Sequence, residues 1–172
     1  MSTTNVKNSG FVESNINWTG YTWNPWWGCN HVSSECDFCY IDEIMKSLGY
    51  DPKKVQRTRV ETFNKPLKLD PTIIFTCSMS DFFHKQADQW RDEAWEIIRK
   101  TPHHTYQILT KRPERVLECL PEDWGDGYPN VWLGVSVGCN EPKSIKRIDI
   151  IKLIPAKINF LSYTVSFCTI CF

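Results

Sequence analysis

Four apolar, β-branched runs begin near residues 72, 105, 131 and 158, and each is followed by a polar turn and a stretch of helical periodicity. Their starts lie 26–33 residues apart, about the length of one strand–helix unit. Units of that length cannot close as hairpins. They build parallel sheets through right-handed crossovers. The runs are Thr72–Cys77, Thr105–Leu109, Val131–Val137 and Ile158–Ser162. Between them, Trp90, Ala94, Ile97 and Ile98 recur at helical spacing with Asp88 placed to cap the start, and Pro113 opens a second helix that runs to about Leu120. Ile145, Ile148 and Ile151 mark a third.

A shorter unit precedes these: a strand near Tyr21–Asn24, a cysteine-bearing loop, and a helix from about Asp37 to Leu48 closed by Gly49. Five such strands fall short of the eight of a closed barrel. The expected fold class is therefore α/β, a partial (βα) barrel with parallel strands or an open sheet. Residues 1–15 read as a loose polar arm, 16–162 as one domain, and 163–172 as an apolar tail. Nothing after Lys157 is charged, and the tail is aggregation-prone in character, as expected of a truncated or frameshifted end.

Function in such folds collects beyond the C-terminal ends of the strands. At those positions stand the cysteine loop, then Cys77, Ser78, Ser80, Asp81 and His84, then Thr110, Lys111 and Arg112, then Ser136 and Ser162. A pocket at this rim is the expected site. The 20 basic and 20 acidic residues cancel, so no overall field draws the chain to nucleic acid or membrane, although local basic patches are not excluded. Met1–Asn17 lacks the apolar stretch of a secretory signal, and no segment has the roughly 20 apolar residues of a spanning helix. A cytoplasmic setting follows as an expectation. There the eight cysteines stay reduced, and clustered ones hold metal more often than they form disulfides.

Cys29, Cys36 and Cys39 lie within eleven residues, spaced C-x6-C-x2-C, beside Pro25 and Gly28. Thiolates bind soft or borderline metals, and two of them two residues apart grip one centre from a single turn. Three readings stand: an iron–sulfur cluster with one iron open, a zinc site completed by His31 or Cys77, or ordinary reduced thiols. Asp81 and His84 could orient a ligand's amino group or serve in acid–base steps, against the plainer reading of a capping aspartate and a surface histidine. Lys111 and Arg112, with Arg115 one turn on, could bind a carboxylate or phosphate, against a solvated helix start. Trp23, Trp26 and Trp27 could stack on a base, although packing around the loop is the commoner role of such tryptophans. Cys168 and Cys171 are read as a chance C-x2-C spacing. His103, His104 and Cys119 are assigned no site role.

The loop resembles the cluster loop of radical S-adenosylmethionine (radical SAM) enzymes, in which an aromatic residue commonly precedes the third cysteine; Phe38 fills that place. More closely, the chain resembles an uncharacterised three-cysteine family of phage and prophage proteins. The matching pieces are Trp18-Thr19, Thr22–Pro25, Gly28-Cys29, Cys36–Tyr40, Ser80–His84, Leu109–Arg115 and Asn130–Val137. The similarity implies a [4Fe–4S] cluster on Cys29, Cys36 and Cys39, with S-adenosylmethionine on the open iron. It implies cofactor contacts from Phe38, Tyr40, Ser80 and Ser136, and catalytic roles for Asp81, His84, Lys111 and Arg112. An electron-donor protein and a nucleic acid or nucleotide substrate are the implied partners. Two features depart from the pattern. The first cysteine gap is six residues where radical SAM enzymes most often have three, and the Glu-Pro pair expected after Ser162 is replaced by Tyr163-Thr164. The rivals are a zinc-stabilised, non-catalytic binding module and an inactive truncated remnant.

Overall fold

The computed structural model describes residues 11–13, 19–37, 39–138 and 142–164. Five strands run parallel: β2 (Tyr21–Trp23), β5 (Ile73–Thr76), β6 (Thr105–Thr110), β7 (Val131–Gly138) and β8 (Ile158–Thr164). They are neighbours in chain order, without the reversal that marks doubly wound sheets. Consecutive parallel strands in sequence order are the winding of a (βα) barrel, and the described sheet stays open, as a partial barrel. All five expected strands are present at the expected places.

The edge beside β2 is occupied by β1 (Phe11–Glu13), antiparallel to it, inside the segment read as a loose arm. A second, two-stranded sheet pairs β3 (Trp26–Trp27) with β4 (Gln56–Arg57). It was not legible because two-residue strands carry no periodicity. The remaining arm residues, Phe38 and the stretch 165–172 with Cys168 and Cys171 lie outside the described residues.

Helix α1 (Tyr40–Ser47) buries Ile41 and Met45, one turn apart, and ends at Gly49, whose φ of +78° suits the left-handed cap position. Helices α2 (Val60–Phe63) and α4 (Val116–Cys119) are single turns, the latter opened by a 3-10 turn at Pro113 as expected. Helix α5 (Pro142–Ile151) follows β7.

Helix α3 (Asp88–Lys100) buries Ala94, Ile97 and Ile98 as expected, but Arg91 and Trp95 join them and Trp90 packs against the core only partly buried. Trp95 is 1% exposed, meets Phe82 edge-on, and donates its indole N–H to Cys119 O at 2.8 Å. Arg91 reaches the interior because its guanidinium has fixed acceptors, Phe82 O at 3.0 Å and His84 O at 2.7 Å. Asp88 does not cap the helix. Its carboxylate pairs with Arg91 and Arg115 instead. Trp23, Phe63, Ile74, Tyr106, Ile108 and Leu133 complete a core between the sheet and its helices.

Candidate functional site

Asn24, just past β2, fixes the start of the cysteine loop: its Oδ1 accepts from Met79 N at 2.8 Å. Gly28 then turns with φ +96°, and a Cβ there would come within 2.4 Å of the Lys54 carbonyl oxygen, so only glycine fits the turn. Its N–H reaches Met79 O, and its own carbonyl accepts from Ser80 Oγ at 2.5 Å. Cys29 N donates to Pro52 O at 2.8 Å. Cys36 ends a 3-10 turn, Ser34–Cys36, and Cys39 takes the N-cap position of α1.

All three cysteines line one pocket of roughly 330 Å³ at the C-terminal ends of the strands, within the ~300–1,000 Å³ typical of small-molecule sites. Lys111, Arg112, Ser80, Asp81, Ser136 and Tyr40 line it as well. The rim reading thus brought together all but two of the candidates. His84 faces a separate shallow depression behind Arg112, and Phe38 lies outside the described residues.

Asp81 is buried and saturated. Its two carboxylate oxygens accept from Thr110 Oγ1 at 2.8 and 2.9 Å, from Phe83 N at 2.9 Å and from Lys111 N at 2.9 Å. It therefore ties the loop after β5 to the loop after β6. Ser80, through Gly28, ties the first of these to the cysteine loop. Tyr40 donates its hydroxyl to Ser78 O at 2.6 Å.

Arg112 is 6% exposed. Its Nη2 donates to Asn30 O at 2.8 Å and lies 3.7 Å from Cys29 Sγ. Its Nη1 is shielded from solvent and has no hydrogen-bond partner among the described residues. A buried guanidinium N–H without an acceptor is costly, so Arg112 carries unspent donor capacity beside the pocket. Burial pushes the Cys29 thiol up to about 12; Asp81 adds to the rise and Arg112 opposes it. Ligation at Cys29 would release a proton to the surroundings.

His84 is a buried cap and not a surface histidine. Its Nδ1 accepts from Gln86 N at 3.1 Å, and burial, with Arg112 next, lowers its pKa to about 4. His31, offered for zinc, faces Asp42 Oδ2 at 3.1 Å. Among the described residues no three of His, Cys, Asp and Glu converge as ligands of a single ion. In kind, the donor set fits a thiolate-held cluster, whose ligands reach separate metal atoms. Trp23 and Trp26 are core, their indole N–H groups bound to Phe63 O and Asp81 O.

Sequence reasoning missed Glu35 and Arg147. Arg147 Nη1 lies 2.6 Å from Glu35 Oε2 and donates to Ser136 O at 2.7 Å, while Nη2 donates to Ser33 Oγ at 2.8 Å. Ser144 Oγ completes the cage by donating to Glu35 Oε1 at 2.6 Å. Burial alone raises the Glu35 pKa, but these hydrogen bonds bring it below the ordinary carboxylate value. The loop is thereby fastened to β7 and α5.

Residues 13–165 match the model of a family described as a protein of unknown function, DUF5131. The chain belongs to that family. The match spans the cysteine loop and all five parallel strands. Neither a curated protein nor a solved structure matches the chain. Among the described residues of this DUF5131 chain, no helix is long and apolar enough to cross a membrane.

Proposed function

We propose that this chain is a radical SAM-like iron–sulfur protein, with Cys29, Cys36 and Cys39 holding a [4Fe–4S] cluster and the adjoining pocket taking S-adenosylmethionine. The observation that carries the reading is that three cysteines line one pocket at the C-terminal rim of the sheet with Arg112, whose Nη1 has no partner among the described residues. When bound, such a pair supplies one-electron reductive cleavage of the cofactor and hydrogen abstraction from a substrate, given an electron donor.

The chain's own residues divide the remaining work. Arg112 Nη1 takes the carboxylate of the pocket's ligand, and its Nη2 places positive charge beside the Cys29 sulfur. Lys111 supplies a second cation from the same wall. Ser136 and Ser162, paired in register across β7 and β8, offer hydroxyls on the far side. Asp81 and Ser80 are positioning residues that keep the three loops in register. The substrate class that suits the reading is a nucleic acid or nucleotide.

Purification without oxygen, followed by iron and sulfide analysis, tests the assignment. The expected result is about four irons and four sulfides per chain, lost in Cys36→Ala. One zinc per chain, or neither iron nor sulfide in soluble protein, overturns it.

A further inference from the structure

The formal charge of the chain is zero, but it is not evenly spread. Residues 46–68 carry seven basic residues against two acidic ones, a net of plus five. The structure leaves that charge available. Lys46, Lys53, Lys54, Arg59, Lys65 and Lys68 are all exposed, and none makes an ion pair among the described residues. Arg57 is the exception: it lies 3.9 Å over the Phe63 ring and pairs with Glu93.

The same segment folds around a cleft of roughly 120 Å³, lined by Trp27, Tyr50, Gln56, Arg57, Arg59 and Thr62. Trp27 and Tyr50 meet edge to face, with ring centroids 6.0 Å apart. The Trp27 indole N–H is shielded from solvent and has no hydrogen-bond partner among the described residues. An aromatic wall and a Gln56 side-chain amide with no partner among the described residues suit the flat face and polar edge of one unpaired base.

We infer that this cleft and the cations around it bind single-stranded nucleic acid, one base entering between Trp27 and Arg59 and the phosphates running along Lys53, Lys54 and Arg59. A lipid surface would engage the same cations but would make no use of the aromatic cleft and its Gln56 amide. Trp27 and Cys29 are two residues apart, so a strand seated here passes within about 7 Å of the cysteine loop's backbone. The inference that this strand is the substrate rests on the function proposed above; the binding itself does not.

Fluorescence anisotropy of the full chain with labelled oligo-dT and oligo-rU of about 15 nucleotides tests it, across a salt series. Binding is expected to weaken with salt at a slope of about −0.7 per phosphate contact. Lys53→Ala with Lys54→Ala lowers that slope by roughly one to two, and Arg59→Ala weakens binding at low salt. Trp27→Leu weakens it about tenfold with the slope unchanged. Circular dichroism identifies any variant that fails to fold, and Arg59→Ala and Gln56→Ala, both near the surface, then carry the test. A preference between the two oligonucleotides tells RNA from DNA. Absence of binding at about 50 mM salt overturns the inference. So do unchanged affinities in every folded variant, and binding to phosphatidylserine vesicles without binding to oligonucleotide. Iron is measured on the same preparations. Oligonucleotide binding without iron leaves this surface standing and removes the enzyme, and iron without oligonucleotide binding does the reverse.

Discussion

Arg147 on α5 holds its guanidinium 2.6 Å from the carboxylate of Glu35, 112 residues earlier in the chain. Both side chains are at least nine-tenths buried, at 6% and 10% exposed. Removing one partner of such a pair leaves an uncompensated charge indoors. Arg147→Met is therefore expected to cost roughly 3–5 kcal/mol, read from the shift in denaturant midpoint. Glu35→Gln combined with Arg147→Met should cost clearly less than the two single changes summed. Strict additivity would show that the pair does not interact.

Gly138, at the end of β7, has no room for a side chain: a Cβ would meet the Glu35 carboxylate, with the nearest oxygen at 2.2 Å. Gly138→Ala is expected to destabilise by about 1–3 kcal/mol through that overpacking. In a Glu35→Ala background the penalty should largely vanish. Equal penalties in both backgrounds would place the strain somewhere else.

His84 gives an acid-sensitivity with a defined sign. Its imidazole is held neutral down to about 4, against an ordinary value of 6.5. Between those values the unfolded chain binds a proton that the folded chain refuses, so stability is whole above about pH 6.5 and declines as pH falls towards 4. The urea midpoint should drop between about pH 7 and about pH 5. His84→Asn, which keeps an acceptor for Gln86 N, should flatten that drop; an unchanged profile assigns the titration to another group.

Arg112 separates ligand binding from metal content. Under the proposed function, Arg112→Met should weaken S-adenosylmethionine binding by about tenfold or more, the worth of a hydrogen bond to a charged group. Iron per chain should stay unchanged, because the cysteines hold it. Equilibrium dialysis of the iron-loaded protein checks the first, and metal analysis the second. Loss of iron with unchanged affinity for the remaining sites would assign Arg112 to the loop and not to the pocket's ligand.

The four later strands were readable because each is a short β-branched run, and β7 in particular is buried along most of its length. Helix α3 was readable in place and in most of its buried face, Ala94, Ile97 and Ile98, but not in full. The stripe centred on Trp90 ignored Arg91, since a charged residue is scored as outward unless its acceptors are known. The carbonyls of Phe82 and His84 that admit it come from the preceding loop's fold. His84 stood between a site role and a surface position in the sequence for a related reason: depth follows from what packs above a residue, and the capping role it takes leaves little trace in spacing. The three cysteines stood out by their spacing, and they line one pocket with Asp81 and Arg112 because the C-terminal ends of parallel strands lie along one edge of the sheet.

Residue order alone determined the winding of the sheet and the edge of it along which Cys29, Asp81 and Arg112 gather, because strand–helix units of fixed length admit one handedness of crossover and leave all the strand ends together. It also determined the thiol trio, since neighbouring cysteines stay neighbours in any fold. Only the tertiary structure decided which polar groups are spent and which are free. Asp81 is consumed by three donors, Thr110 Oγ1, Phe83 N and Lys111 N, and Glu35 by Ser33, Ser144 and Arg147, while Arg112 keeps one buried nitrogen without a partner among the described residues. Those partnerships join loops from distant parts of the chain, and a hydrogen bond's distance and angle exist only once the loops meet.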